Sequence, residues 1–321
     1  MDKKTTIYIG AMIPDLERMK MIRGKLPKNV REDFTSHYGN IMDLLRINGQ
    51  VGAIFAFTQF YDPPLRCFTF QDFQLAPTLE EFEQVLGFSK IKEGPYTEIG
   101  RVIEVEDLSK AWGIPLEGLR LHYKEEVKVR GIKREYLESK ALSLADKGEW
   151  EPCRDIFALL IFGVILFPNV MSFIDSDAVG IFWSVKVLGK DPTHALLANI
   201  YYVLHVQHGR GEGVLQCCIP LLYSWLLSHL GKQRYMIKNL TKEEWLQKSK
   251  ALTIESIVWC PNRLEIKEVI FNCGDFPNVP LIETQAFINY NPTLALRQLG
   301  YPWENAPSDG QLQQLILHDM G

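Results

Sequence analysis

Ile156-Phe-Ala-Leu-Leu-Ile-Phe-Gly-Val-Ile-Leu-Phe-Pro-Asn-Val-Met-Ser-Phe-Ile174 runs nineteen residues without a charge. As one helix it is long enough to span a bilayer. Pro168 and Asn169 sit inside the run, and a proline ends a helix near the residue before it. About a dozen apolar residues remain, the length of a buried core helix. The stretch therefore reads as the centre of a globular, mainly α domain.

Working outward, the segments Pro152–Phe167, Ala178–Leu188, Thr193–His208 and Val214–Leu230 are helical and the most apolar of the chain. Their spacing places Phe157, Leu160, Ile161, Val164, Leu196, Ile200, Leu222 and Trp225 in the expected core. Towards the N-terminus, Phe34, Tyr38, Ile41, Leu44 and Leu45 follow helical spacing, and Val51 to Phe60 forms a further helix. An aromatic hairpin is expected near 66–75. Thr78 and Glu81 form a capping box, and Gly87 closes the helix it opens. Short helices follow at Glu106–Trp112 and Pro115–Tyr123, another from about Arg134, and one at Lys242–Lys250 behind Thr241. A β-containing subregion is expected near 255–283, from Ser256–Trp259, Val269–Cys273 and Val279–Ile282. Asn291-Pro292 and Gly300 bracket a last helix. The expected layout is a basic N-terminal arm (1–31), one helical domain (32–307) and a C-terminal helix (308–321).

The 321 residues carry a net charge of −4, which excludes a polycation built to coat nucleic acid. The charge is uneven. Residues 1–31 hold eight basic and three acidic residues, a net of +5, and the rest carries −9. Lys20, Arg23, Lys25, Lys28 and Arg31 are the candidate contacts for nucleic acid or another acidic partner. Binding through such an arm would be weak and non-specific, with a log–log salt slope of about −3 to −5. The alternative is a solvated helix surface.

No constellation reports a reaction. The six cysteines show no C-x-x-C spacing and read as buried thiols of a reducing compartment. The N-terminus lacks the apolar core of a secretory signal, so a nuclear or cytoplasmic protein without membrane attachment is expected. His194, His205 and His208 share a helix face, but His194 lies about 16 Å from His205 at ~1.5 Å rise per residue. His205 and His208 alone are half a zinc site, and no metal is expected. Cys217 and His229, twelve residues apart on one expected helix, lie too far apart for a dyad. The glycine-rich His208–Gly213 follows a helix and lacks Gly-Lys-Ser/Thr, so it reads as a turn between helices.

Several ordered segments resemble the plant mobile domain family, also labelled aminotransferase-like, and its legume retroelement-associated branch of unknown function. They are Phe68-Thr-Phe-Gln-Asp-Phe-Gln-Leu-Ala-Pro-Thr-Leu79 with Leu86-Gly87, Leu166-Phe-Pro-Asn169, Ala195-Leu-Leu-Ala-Asn-Ile-Tyr201, Gly213 to Trp225, Val258-Trp-Cys-Pro261 and Leu296-Arg-Gln-Leu-Gly300. Pro192-Thr193-His194 stands where the family usually has Trp-Gly, and Leu299 where it has Phe. The resemblance spans about residues 40–307 and implies a transposon-derived domain in transposon biology or genome silencing, without an established catalytic set. An aminotransferase would need a cofactor lysine in a recognisable pocket motif. None stands out, so no cofactor is expected. Retroelement relatives commonly continue further, which makes Gly321 a truncation point or an unusual stop. The expected function is non-enzymatic, through protein or nucleic-acid contacts, with a protein partner foremost. The alternative is a cryptic hydrolase-like enzyme using His205, His208 and Cys217.

Overall fold

The computed structural model describes residues 7–88, 92, 94–98, 102–126, 129–231, 240–259, 279–282, 286–290, 298 and 317–318. The fold is mainly α, with small sheets of two or three strands. The chain forms two compact units: Pro14–Ile47 with Val85–Leu196, and Met1–Ile13 with Asn48–Gln84 and Leu197–Gly321. Among the described residues no helix is long and apolar enough to cross a membrane.

The first unit is organised on the helix Trp150–Ile161, which continues as a π-turn over Phe162–Leu166. Every residue from Cys153 to Phe167 is buried, so this helix is enclosed on all sides. It stops at Phe167, whose N–H bonds to the Phe162 carbonyl, directly before Pro168. Phe157 and Phe162 pack against Phe34 and Phe182, with ring centroids 5.8 and 5.9 Å apart. Helices Glu17–Lys25 and Lys28–Tyr38 belong to this unit and bury Met19, Ile22, Leu26, Val30, Phe34 and Tyr38. Residues 17–31 of the expected basic arm thus contribute to the core: their basic residues alternate with apolar ones that fill it.

The expected helix through Leu45 also breaks. Gly39 takes a φ of 63°, and a 3-10 turn follows over Ile41–Arg46. A Cβ at Gly39 would lie 2.3 Å from the Leu86 carbonyl oxygen. A three-stranded antiparallel sheet, Tyr123–Glu126, Val129–Lys133 and Phe173–Asp175, arises where no strand is expected from the sequence. Asp175 ends the last strand and caps helix Ser176–Val187, accepting the Asp177 N–H at 2.7 Å.

In the second unit, strand Tyr8–Ala11 pairs in parallel with Glu212–Leu215. Gly211, at φ 74°, ends helix Thr193–Arg210. The glycine-rich segment therefore leads into a strand rather than a turn between helices, and the next helix spans Ile219–His229, not Val214–Leu230. The aromatic hairpin is present as Cys67–Thr69 with Gln74–Leu75, flanked by Tyr61–Asp62. Helix Val51–Thr58 packs on Lys242–Lys250, where the Trp245 indole donates to Gln50 Oε1 at 2.8 Å. Thr241 and Glu244 form a capping box there. The expected strand Ser256–Trp259 is instead a 3-10 turn, Ile254–Ser256, held by Ser256 bonding back to Thr253, and then non-strand backbone. Strands Val279–Ile282, Ala286–Tyr290 and Leu317–His318 form an antiparallel sheet. A strand at 317–318 replaces part of the expected C-terminal helix; the rest of that helix, Val269–Cys273, Asn291-Pro292 and Gly300 lie outside the described residues.

Candidate functional site: an arginine-lined cleft

The first unit carries a cleft of about 350 Å³ lined by Arg23, Arg31, Thr35, Asn40, Met42, Asp43 and Arg46. Three short helical segments supply it. Burying Met19, Ile22, Val30 and Phe34 turns Arg23 of one helix and Arg31 and Thr35 of the next to the outside. Arg31 and Thr35 stand four apart and share a face. The turn Ile41–Arg46 buries Ile41, Met42, Leu44 and Leu45 and presents Asp43 and Arg46.

Three guanidiniums face a single carboxylate, a net of +2 in one concavity. Arg46 lies 3.5 Å from Asp43. Arg23 Nε is shut off from solvent and has no hydrogen-bond acceptor among the described residues. Burial lowers the Arg23 pKa, Arg46 lowers it further, Asp43 opposes, and Arg31 adds to the lowering. The fold thus holds like charges together, which favours an anion between them.

Of the five basic candidates, Arg23 and Arg31 meet in the cleft. The others are matched with carboxylates on the surface: Lys20 with Glu17 at 3.1 Å, Lys25 with Asp146 at 2.5 Å and Lys28 with Glu32 at 3.6 Å. Arg46 was not anticipated. Its signal is a cation three residues after Asp43 on a turn whose other residues are apolar.

The expected core residues are all buried. Phe157, Leu160, Ile161, Val164 and Leu196 belong to the first unit, and Ile200, Leu222 and Trp225 to the second.

In the second unit, the chemically capable groups are tied into structure. Glu81 Oε1 stands 2.9 Å from His229 Nε2. Glu81 also accepts from the Trp225 indole at 2.8 Å, from the Gln298 amide at 3.0 and 3.1 Å, and from the Thr78 N–H at 3.1 Å. His229 Nδ1 lies 2.8 Å from the Val258 carbonyl oxygen. Sequence reasoning found Glu81 as a cap but not this hub.

Cys217 precedes helix Ile219–His229 rather than lying on it, and burial pushes its thiol pKa up. Burial likewise raises Cys218 to about 12 and, in the first unit, Cys153 to about 11. These thiols are protonated, the unreactive form. His205 and His208 are half-buried, and the His208 ring lies 6.0 Å from that of Tyr61. Burial lowers the His194 pKa, with Asp191 opposing. Among the described residues no group of three or more His, Cys, Asp or Glu is placed to hold a metal ion.

A family model described as "Domain of unknown function (DUF7745)" matches residues 19–321, and the chain belongs to that family. No curated protein and no solved structure matches the chain.

Proposed function

We propose that this DUF7745 member is a non-enzymatic, transposon-derived domain that works in the nucleus or cytoplasm by contact with an acidic partner, nucleic acid foremost. The observation that carries the reading is the convergence of Arg23, Arg31 and Arg46 on one cleft in which, among the described lining residues, Asp43 alone opposes them. Phosphate backbones are bound by such clustered arginines. The burial of Cys153, Cys217 and Cys218 as protonated thiols and the use of Glu81 and His229 in packing support contact over catalysis. The segments resembling the plant mobile domain family support the transposon-derived origin and a role in transposon biology or genome silencing.

Because Lys20, Lys25 and Lys28 each stand beside a carboxylate that cancels their charge, the region of net positive charge is smaller than the arm as a whole. One to three phosphates are contacted, so the salt slope should be about −1 to −3, shallower than the sequence suggests. The test is anisotropy of fluorescent DNA with two variants of equal charge change. Arg23→Gln/Arg31→Gln/Arg46→Gln should abolish binding, and Lys20→Gln/Lys25→Gln/Lys28→Gln should weaken it only slightly. The reverse order would overturn the reading.

A further inference from the structure

We infer that the cleft is a seat for the terminal phosphate of a nucleic acid strand, a phosphomonoester, rather than a track for running backbone. This rests on the reading that the cleft takes an anionic partner.

Charge is the first argument. Three arginines and Asp43 leave +2 within a single concavity. A phosphomonoester carries about −1.5 to −2 at pH 7 and offers three acceptor oxygens. Each backbone diester carries one charge only.

Distribution is the second. A strand brings one phosphate per nucleotide along its length, so a track needs a row of net positive charge. The basic neighbours Lys20, Lys25 and Lys28 each stand beside a carboxylate and so add no net charge, whereas the lining of the cleft carries +2.

Donor supply is the third. Arg23, Arg31 and Arg46 all line the cleft, so guanidinium N–H groups are the donors a phosphate meets there. The Thr35 hydroxyl is already donated to the Arg31 carbonyl at 3.1 Å, which leaves recognition to the arginines. Arg46 is held by Asp43 at 3.5 Å, an exposed contact that an entering dianion can displace. The cleft, at about 350 Å³, lies at the small end of ligand sites, suited to an end group.

The experiment uses the full chain and one labelled single-stranded oligonucleotide in three forms: 5′-phosphorylated, 3′-phosphorylated and unphosphorylated. At least one phosphorylated end should bind about tenfold tighter than the unphosphorylated strand. Inorganic phosphate should compete. The preference should vanish in Arg23→Gln/Arg31→Gln. It should grow in Asp43→Asn, a gain that misfolding cannot imitate. Equal binding of all three strands, lost in the arginine variant, would overturn the end preference and leave the contact reading standing. Binding indifferent to the arginine variant would remove both. A phosphoserine peptide held as tightly as the phosphorylated strand would overturn nucleic acid as the source of the phosphate.

Discussion

His229 Nε2 and Glu81 Oε1 stand 2.9 Å apart in a position where neither side chain reaches solvent. The Glu81 carboxylate has its remaining lone pairs filled by Trp225, Gln298 and the Thr78 N–H. One acidic residue thus joins the start of its own helix, helix Ile219–His229 and the segment at Gln298.

Glu81→Ala should therefore destabilise the chain by at least about 1–3 kcal/mol, because it leaves the buried Trp225 indole and Gln298 amide without their acceptor. Trp225→Phe, which removes one of several donors to Glu81, should cost less, about 0.5–1.5 kcal/mol. Urea unfolding followed by tryptophan fluorescence for the first and by circular dichroism for both measures this. A Glu81→Ala loss under 1 kcal/mol would mean the hub is incidental.

Deleting residues 1–31 should unfold the first unit. The deletion removes Met19, Ile22, Leu26 and Val30, all buried, each worth about 1.5–3 kcal/mol. Their sum approaches the whole stability of an ordinary domain, about 5–15 kcal/mol. Circular dichroism of the truncated chain should show lost helix; a native spectrum with a native melt would contradict this.

Gly131→Ala should break the sheet of the first unit. A Cβ there would lie 2.1 Å from the Ile174 carbonyl oxygen, on the strand paired with it. Backbone cannot yield as a side chain tip can, so the cost should be at least about 1–3 kcal/mol. A variant as stable as the parent would place the strand at Phe173–Asp175 elsewhere.

The thiols predict an alkaline limb. Cys153 and Cys218 rise from 9.0 to about 11 and about 12 in the folded chain. Above pH 9 the unfolded chain loses thiol protons that the folded chain keeps, so it binds fewer protons and stability falls. The thiol contribution is complete below about pH 9 and is lost as pH climbs towards 11 and 12. Urea midpoints from pH 7 to 11 should show the decline. Cys153, Cys217 and Cys218 should also resist a disulfide reagent at pH 8 until denaturant is added. Fast modification by the native chain would contradict their burial.

The legible features were those whose physics is local. The Thr78/Glu81 and Thr241/Glu244 boxes, the stop at Pro168 and the hairpin near Phe68 each depend on residues a few positions apart. The hub at Glu81 was hidden because Trp225 and Gln298 lie 144 and 217 residues away. The strands at 123–133 were hidden because their residues are mostly charged and their pairing with Phe173–Asp175 crosses a helix pair. Among the basic residues, Lys20 with Glu17 and Lys28 with Glu32 have helical spacing that sequence reveals. Lys25 with Asp146 is separated by 121 residues, and only the fold distinguishes it from Arg23 and Arg31.

An acidic partner in the cleft would sit against Arg23, whose side-chain Nε–Hε resonance reports on it. The proton is sheltered and without an acceptor among the described residues in the free chain. On titration with a phosphorylated oligonucleotide, at concentrations where anisotropy shows the strand bound, the Arg23 signal should move and its exchange with water should slow. An Arg23 signal unchanged at saturation would place the partner elsewhere and contradict the account.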